Sequence, residues 1–189
     1  MNLRPFSLVL PLAVLALAGC NLPIEPAKPD AVRYFVLSGT KPAPAAAGIE
    51  VRPVQLPAYL LSRVMVVRLS DHEVHFTEDA HWAESLDAGL TARLRERLQP
   101  ANSASGQKDY AVRVQLHQCE GLAAGGSDAV RLTATFELVS LADDSVAIRQ
   151  DFTARPRAWD GRDYGQLARQ IGEATDELAD AVAAALPKK

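Results

Sequence analysis

Cys20 is the residue whose surroundings commit it most clearly to a reaction. It closes Leu17-Ala18-Gly19-Cys20, preceded by Arg4 and an apolar run from Phe6 to Leu17. A basic start, a short apolar core and small residues leading into a cysteine are what a membrane enzyme needs to acylate the thiol and cut the leader before it. The run is too short to cross a hydrocarbon layer of about 30 Å, which takes about 20 apolar residues. The expectation is a signal peptide over residues 1–19, with Cys20 opening the mature chain and carrying a diacylglycerol and an N-acyl chain. Each buried methylene contributes about 0.8 kcal/mol, and a second chain makes the anchoring stable. Asn21 stands where enteric-type sorting reads Asp as a retention signal, which favours the outer membrane with the body facing the periplasm.

Other candidate chemistry is thinner. His117 and Cys119 lie two apart, so an unbroken strand places imidazole and thiol on one face, as a nucleophile with its base or as half a metal site. Nothing nearby completes four zinc ligands at a finger or ribbon spacing. His72, His75 and His81 are irregularly spaced across a hairpin and a helix start. Gly125-Gly126 lacks the lysine and the strand-to-helix setting of a phosphate loop and reads as a turn. No catalytic residue, metal or cofactor is therefore expected beyond the lipid on Cys20, and the chain does not read as an enzyme. Arg149, Arg155, Arg157 and Arg162 form a basic run that would meet anionic head groups or, more simply, line a solvated rim. Leu56-Pro57-Ala58-Tyr59-Leu60-Leu61 is an apolar loop with a tyrosine, which suits a partner surface. Burial under a helix explains it equally well.

The elements that must position these residues follow from hydrophobic period. Removing residues 1–19 leaves 170 residues and takes away Arg4, moving the formal charge from −3 to −4. That length suits one domain with its own core, and that charge lacks the basic stripe of a nucleic-acid binder. Cys119 has no partner left for an internal disulfide, so packing must supply the stability. Pro23, Pro26 and Pro29 make residues 20–31 an extended tether, its ten residues Asn21–Asp30 reaching at most about 31 Å at polyproline rise. Residues 32–189 form the body. Strands are expected over Arg33–Leu37, Ile49–Val54 and Val64–Leu69, the last one central, with Glu73–Phe76 as its short hairpin partner. A helix from about Ala80, capped by Asp79, carries Trp82, Leu86, Leu90, Leu94 and Leu98 on one stripe. Alternation over Tyr110–Leu116, Val130–Leu138 and Val146–Phe152 describes an antiparallel meander with Val146, Ile148 and Phe152 on one face. A last helix runs from about Tyr164 to Leu186 with an acidic side at Glu173, Asp176, Glu177 and Asp180. The fold class is α/β (α+β): one mixed, mostly antiparallel sheet with two amphipathic helices packed on it.

The ordered features resemble the PqiC/YmbA lipoproteins. They comprise the lipobox at Cys20, Tyr34-Phe35-Val36-Leu37, Val54-Gln55-Leu56-Pro57-Ala58-Tyr59-Leu60, Arg63 before an apolar strand, and His75-Phe76 leading to Trp82-Ala83-Glu84-Ser85-Leu86. The resemblance covers the mature chain and implies an auxiliary lipoprotein of an ABC-type transport system. Its implied partner is an MCE-domain (PqiB-like) protein forming a phospholipid conduit between the two membranes, with ring-like self-association suited to a tubular partner. A non-catalytic docking subunit supporting envelope integrity is the first reading, with Leu56, Pro57, Tyr59, Leu60 and Leu61 as its contact surface. The alternative is a periplasmic lipid carrier holding an acyl chain in a pocket lined by the apolar face of the meander. A hydrolase built on His117 and Cys119 is a third.

Overall fold

In the computed structural model, which describes residues 31–37, 49–99, 108–123 and 129–187, period-two segments form strands and period-four segments form helices. In chain order these are β1 (Arg33–Phe35), β2 (Ile49–Val51), a 3-10 turn (Ala58–Leu60), β3 (Val64–Ser70), β4 (Glu73–Trp82) and α1 (Leu86–Leu98). Then come β5 (Tyr110–Leu122), β6 (Ala129–Ser140), β7 (Val146–Thr153), β8 (Arg157–Ala158) and α2 (Tyr164–Ala185). Val32–Lys189 is one compact unit. Cys20, the expected signal peptide, the tether up to residue 30, the Lys41–Gly48 loop and Gly125-Gly126 lie outside the described residues.

The sheet runs β1-β4-β3-β5-β6-β7, with β2 beside β5 and β8 beside β6. β1 on β4, β2 on β5 and β3 on β5 are parallel, and the other pairs are antiparallel. Val112, Val114 and Leu116 of β5 and Leu132, Ala134, Phe136 and Leu138 of β6 turn inward. Against them pack Leu86, Leu90, Leu94 and Leu98 of α1 and Leu167, Ile171, Ala174, Leu178 and Val182 of α2. Full burial of such side chains contributes about 1.5–3 kcal/mol each. The mixed sheet with two helices is the architecture expected from the sequence. Among the described residues its second face carries no helix, and that open face is where a site must be sought.

Several local readings are corrected. The strand β4 extends to Trp82, and α1 begins at Leu86 with Ser85 as its cap residue, so the expected helix start at Ala80 and the Asp79 cap are wrong. Neighbouring strands win there. Ala80, His81 and Trp82 pair with Arg33, Tyr34 and Phe35, and Trp82 N–H donates to the Arg63 carbonyl at 2.7 Å. Thr77 fills the irregularity that lets β4 change partners, its hydroxyl 3.0 Å from the Met65 carbonyl and 2.6 Å from that of Ala80. Val146 does not share a face with Ile148, because the ladder shifts by one residue between Leu138 and Val139.

Arg93, off the stripe of Leu86, Leu90, Leu94 and Leu98, is nonetheless buried between the helices. It donates to Asp176 through Nε at 2.9 Å and Nη2 at 2.8 Å, and to the Leu37 carbonyl through Nη1 at 3.1 Å. Gly172 leaves room for that guanidinium, since a Cβ there would lie 2.9 Å from Arg93 Cζ.

Candidate functional site

The segment expected to form a contact surface sits where one strand hands over to another along the edge of β5. After β2 the chain keeps beside β5, with Arg52 N–H on the Val112 carbonyl at 3.1 Å and Gln55 N–H on that of Val114 at 2.9 Å. Leu56-Pro57 then breaks contact, the 3-10 turn follows, and β3 rejoins β5 where Val67 pairs with Gly121. The strand β5 is itself irregular across this gap, its register shifting between Leu116 and Gln118.

The turn is bolted down by a buried carboxylate. Tyr59 donates its hydroxyl to Glu120 Oε2 at 2.7 Å, and Arg68 donates Nε to Glu120 Oε1 at 2.5 Å. The Arg68 guanidinium also stands 5.9 Å from the Tyr59 ring centre. The Glu120 side chain is fully enclosed. Burial, and then the Glu120 carboxylate, hold the Tyr59 phenol above its ordinary pKa, so it remains a donor. Taking a carboxylate out of water costs several kcal/mol unless paired and hydrogen-bonded, and here both oxygens have a donor.

With the turn fixed, its residues divide. Leu60 is 2% exposed and belongs to the core, which removes it from any contact surface. Leu56, Pro57 and Tyr59 are half-buried, and Leu61 is 59% exposed. Of this stretch, burial therefore accounts for Leu60, while Leu61 is left exposed. Register places further apolar groups beside it on the open face. Tyr34 pairs with His81, which pairs with Val64, and Phe76 pairs with Val66. Tyr34 is 61% and Phe76 44% exposed, with the Tyr34 and His81 rings edge to face at 5.8 Å. The β1-β4-β3 end of the open face is thus aromatic and aliphatic. Toward β7 the same face turns polar, with Arg113, Gln115, His117, Thr135, Glu137, Arg149 and Asp151.

The pairing of His117 with Cys119 does not form. The shift in β5 reverses its phase, so Cys119 joins the core while His117 stays on the open face. Burial, with Glu120 adding to it, pushes the Cys119 thiol up and away from the thiolate. His117 Nε2 lies 2.8 Å from the Thr135 hydroxyl, which donates to Asp151 at 2.7 Å, so Nε2 carries the proton in that chain. No thiol stands against it among the described residues, and the hydroxyl it meets, that of Thr135, directs its proton to Asp151. His75 shares the side of Val67 and His81 that of Val64, opposite sides of the sheet. Among the described residues no cluster of three His, Cys, Asp or Glu could hold a metal, and no helix is long and apolar enough to cross a membrane. The 420 Å³ hollow of the structure is lined by polar groups of the open face, while the apolar face of the meander is filled by the helices. Of the basic run, Arg155 and Arg157 pair with Glu177, and Arg157 stands 3.6 Å from Glu173, which makes much of that run a fastening for α2.

Sequence reasoning missed Glu120, Arg68, Tyr34 and Phe76 as parts of one face. Glu120 next to Cys119 was the available signal, an acid in a strand otherwise closing on apolar residues.

The described body is one mixed sheet with two helices on its inner face and, at the edge of β5, an apolar turn pinned to Glu120. The chain belongs to the family of ABC-type transport auxiliary lipoprotein components, which it matches over residues 36–183. No curated protein matches it significantly. Among solved structures, protein XCC0632 from Xanthomonas campestris is similar at 16% identity and a TM-score of 0.68, covering 79% of this chain and 92% of that one. An uncharacterised protein is similar at 18% identity and 0.61, covering 80% and 95%. Those two likenesses bear on the fold alone, and they agree with the sheet and helices described above.

Proposed function

We propose that this protein is the non-catalytic docking subunit of an MCE-type, ABC-driven phospholipid transport system, held at the outer membrane by acyl chains on Cys20. The observation that carries the reading is the uncovered apolar end of the sheet, where Tyr34, Phe76 and Leu61 are exposed around a turn fixed by Glu120. Exposed aromatic and aliphatic groups on a rigid support suit a hot spot, because little side-chain or loop entropy is lost when a partner covers them. The family supplies the setting, a transport system to which such a lipoprotein is auxiliary. Self-association into a ring would match a tubular partner.

The test is mild crosslinking in cells, detergent extraction of the acylated protein and mass spectrometry of what accompanies it. An MCE-domain protein recovered at near-stoichiometric yield, and lost with Leu61→Asp or Phe76→Asp, is the expected result. Recovery of phospholipid alone would move the reading to a carrier.

A further inference from the structure

Beyond the apolar end, the open face holds the hollow of about 420 Å³. Its floor is a cross-strand row, Arg113 opposite Glu137 and Glu137 opposite Arg149, with Gln115 and Thr135 alongside. Its wall is the extension of β2 from Arg52 to Gln55. Three guanidiniums therefore meet over one groove.

Their donors are largely unengaged. Arg52 and Arg113 approach the same Asp144 oxygen, at 3.7 and 3.2 Å, and Arg149 stands 3.4 Å from Glu137. Of these contacts only that of Arg113 meets hydrogen-bond geometry among the described residues. A guanidinium offers five N–H donors in a rigid fork. Between the two helices such forks are filled: Arg93 uses all three nitrogens, and Arg97 grips Asp180 through Nε and Nη2. Asp144 is itself 73% exposed, and exposed pairs of this length hold little energy. Asp151, opposite Thr135, accepts from its hydroxyl. The lining itself carries three cations and one acid, Glu137, with Asp144 and Asp151 at its margins.

We propose that this groove binds a phosphate group, with the forks of Arg113 and Arg149 on its oxygens and Arg52 closing one side. Arginine forks match phosphate geometry and form charge-assisted bonds about twice as strong as neutral ones. A bound phosphate replaces Asp144 as the shared acceptor of Arg52 and Arg113. The group is carried either by a phospholipid head or by the free anion. The inference stands on the groove alone and is independent of the docking surface.

Calorimetric titration of the acylated protein in dodecyl maltoside tests it, with inorganic phosphate in one arm and dihexanoylphosphatidylglycerol below its micelle concentration in the other. Saturable binding is expected in at least one arm. Arg113→Gln should weaken it about tenfold, Arg149→Gln about threefold because that side chain is more exposed, and Arg169→Gln, on the exposed side of α2, not at all. Tighter binding of the lipid assigns the site to a head group, and equal or tighter binding of inorganic phosphate assigns it to the free anion. If Arg113→Gln fails to fold by circular dichroism, the more exposed Arg149→Gln carries the test. No saturable heat in either arm, or a loss with Arg169→Gln equal to that of the groove variants, would overturn the proposal.

Discussion

Glu120 illustrates how one buried acid can set the shape of a surface it never reaches. Its two oxygens take one donor from the loop and one from β3, so the turn carrying Leu61 is held against the sheet. Glu120→Ala leaves the Arg68 guanidinium without its counter-charge, and urea melts should show a loss of about 3 kcal/mol. Tyr59→Phe removes a single hydroxyl donor and should cost about 1 kcal/mol. The two together should cost less than the sum of the single losses, since they share a partner. Cys119 gives a second check at this scale. Its burial and its raised pKa predict that iodoacetamide at pH 8 leaves it unmodified in the native protein and alkylates it once urea unfolds the chain.

At the scale of elements, close packing decides what each position tolerates. Gly121 in β5 lies under Trp159, and a Cβ there would come 2.5 Å from the indole ring. Gly121→Ala should therefore destabilise by about 2 kcal/mol, as overpacking against a rigid ring does. Glu177 links α2 to the segment after β7, accepting the Arg155 backbone N–H at 3.1 Å and facing Arg157 at 3.2 Å. Burial raises its pKa, but the bonds from Arg155 and the charge of Arg157 outweigh that, and the net shift is downward. A carboxyl depressed in the folded state adds stability above its unfolded pKa of about 4.3 and loses it as pH falls through the lower folded value. Glu177→Gln should thus be less stable than the parent at pH 7 and equal to it near the acid end of that window.

The same packing explains what the sequence could and could not disclose. The meander, the central β3 and α2 were legible because their apolar residues repeat over many positions. The start of α1 was not, because Trp82 and Leu86 continue a spacing of four across a boundary that pairing with β1 imposes. The phase change in β5 was hidden too, since a bulge leaves no compositional mark between Leu116 and Gln118. The apolar turn was legible as a candidate, whereas its neighbours Tyr34 and Phe76 reach it only through strand pairing.

For the molecule as a whole, the division of the open face into an apolar end and an arginine-lined end means that two surfaces can be probed separately. Leu61→Asp should abolish partner capture without altering the melting temperature, measured by circular dichroism, because that side chain supports nothing beneath it. The ion pairs of α2 have a further consequence, for the order in which the chain can acquire its structure. Its acids bind Arg93 and Arg97 of α1 on one side and Arg155 and Arg157 on the other, and its apolar stripe covers the inner face of the sheet. All of these partners are translated before residue 164, and their counterpart arrives last. Until residues 164–185 have left the ribosome, the part of the inner face that α2 covers lacks its partner, and only α1 is there to pack on the sheet.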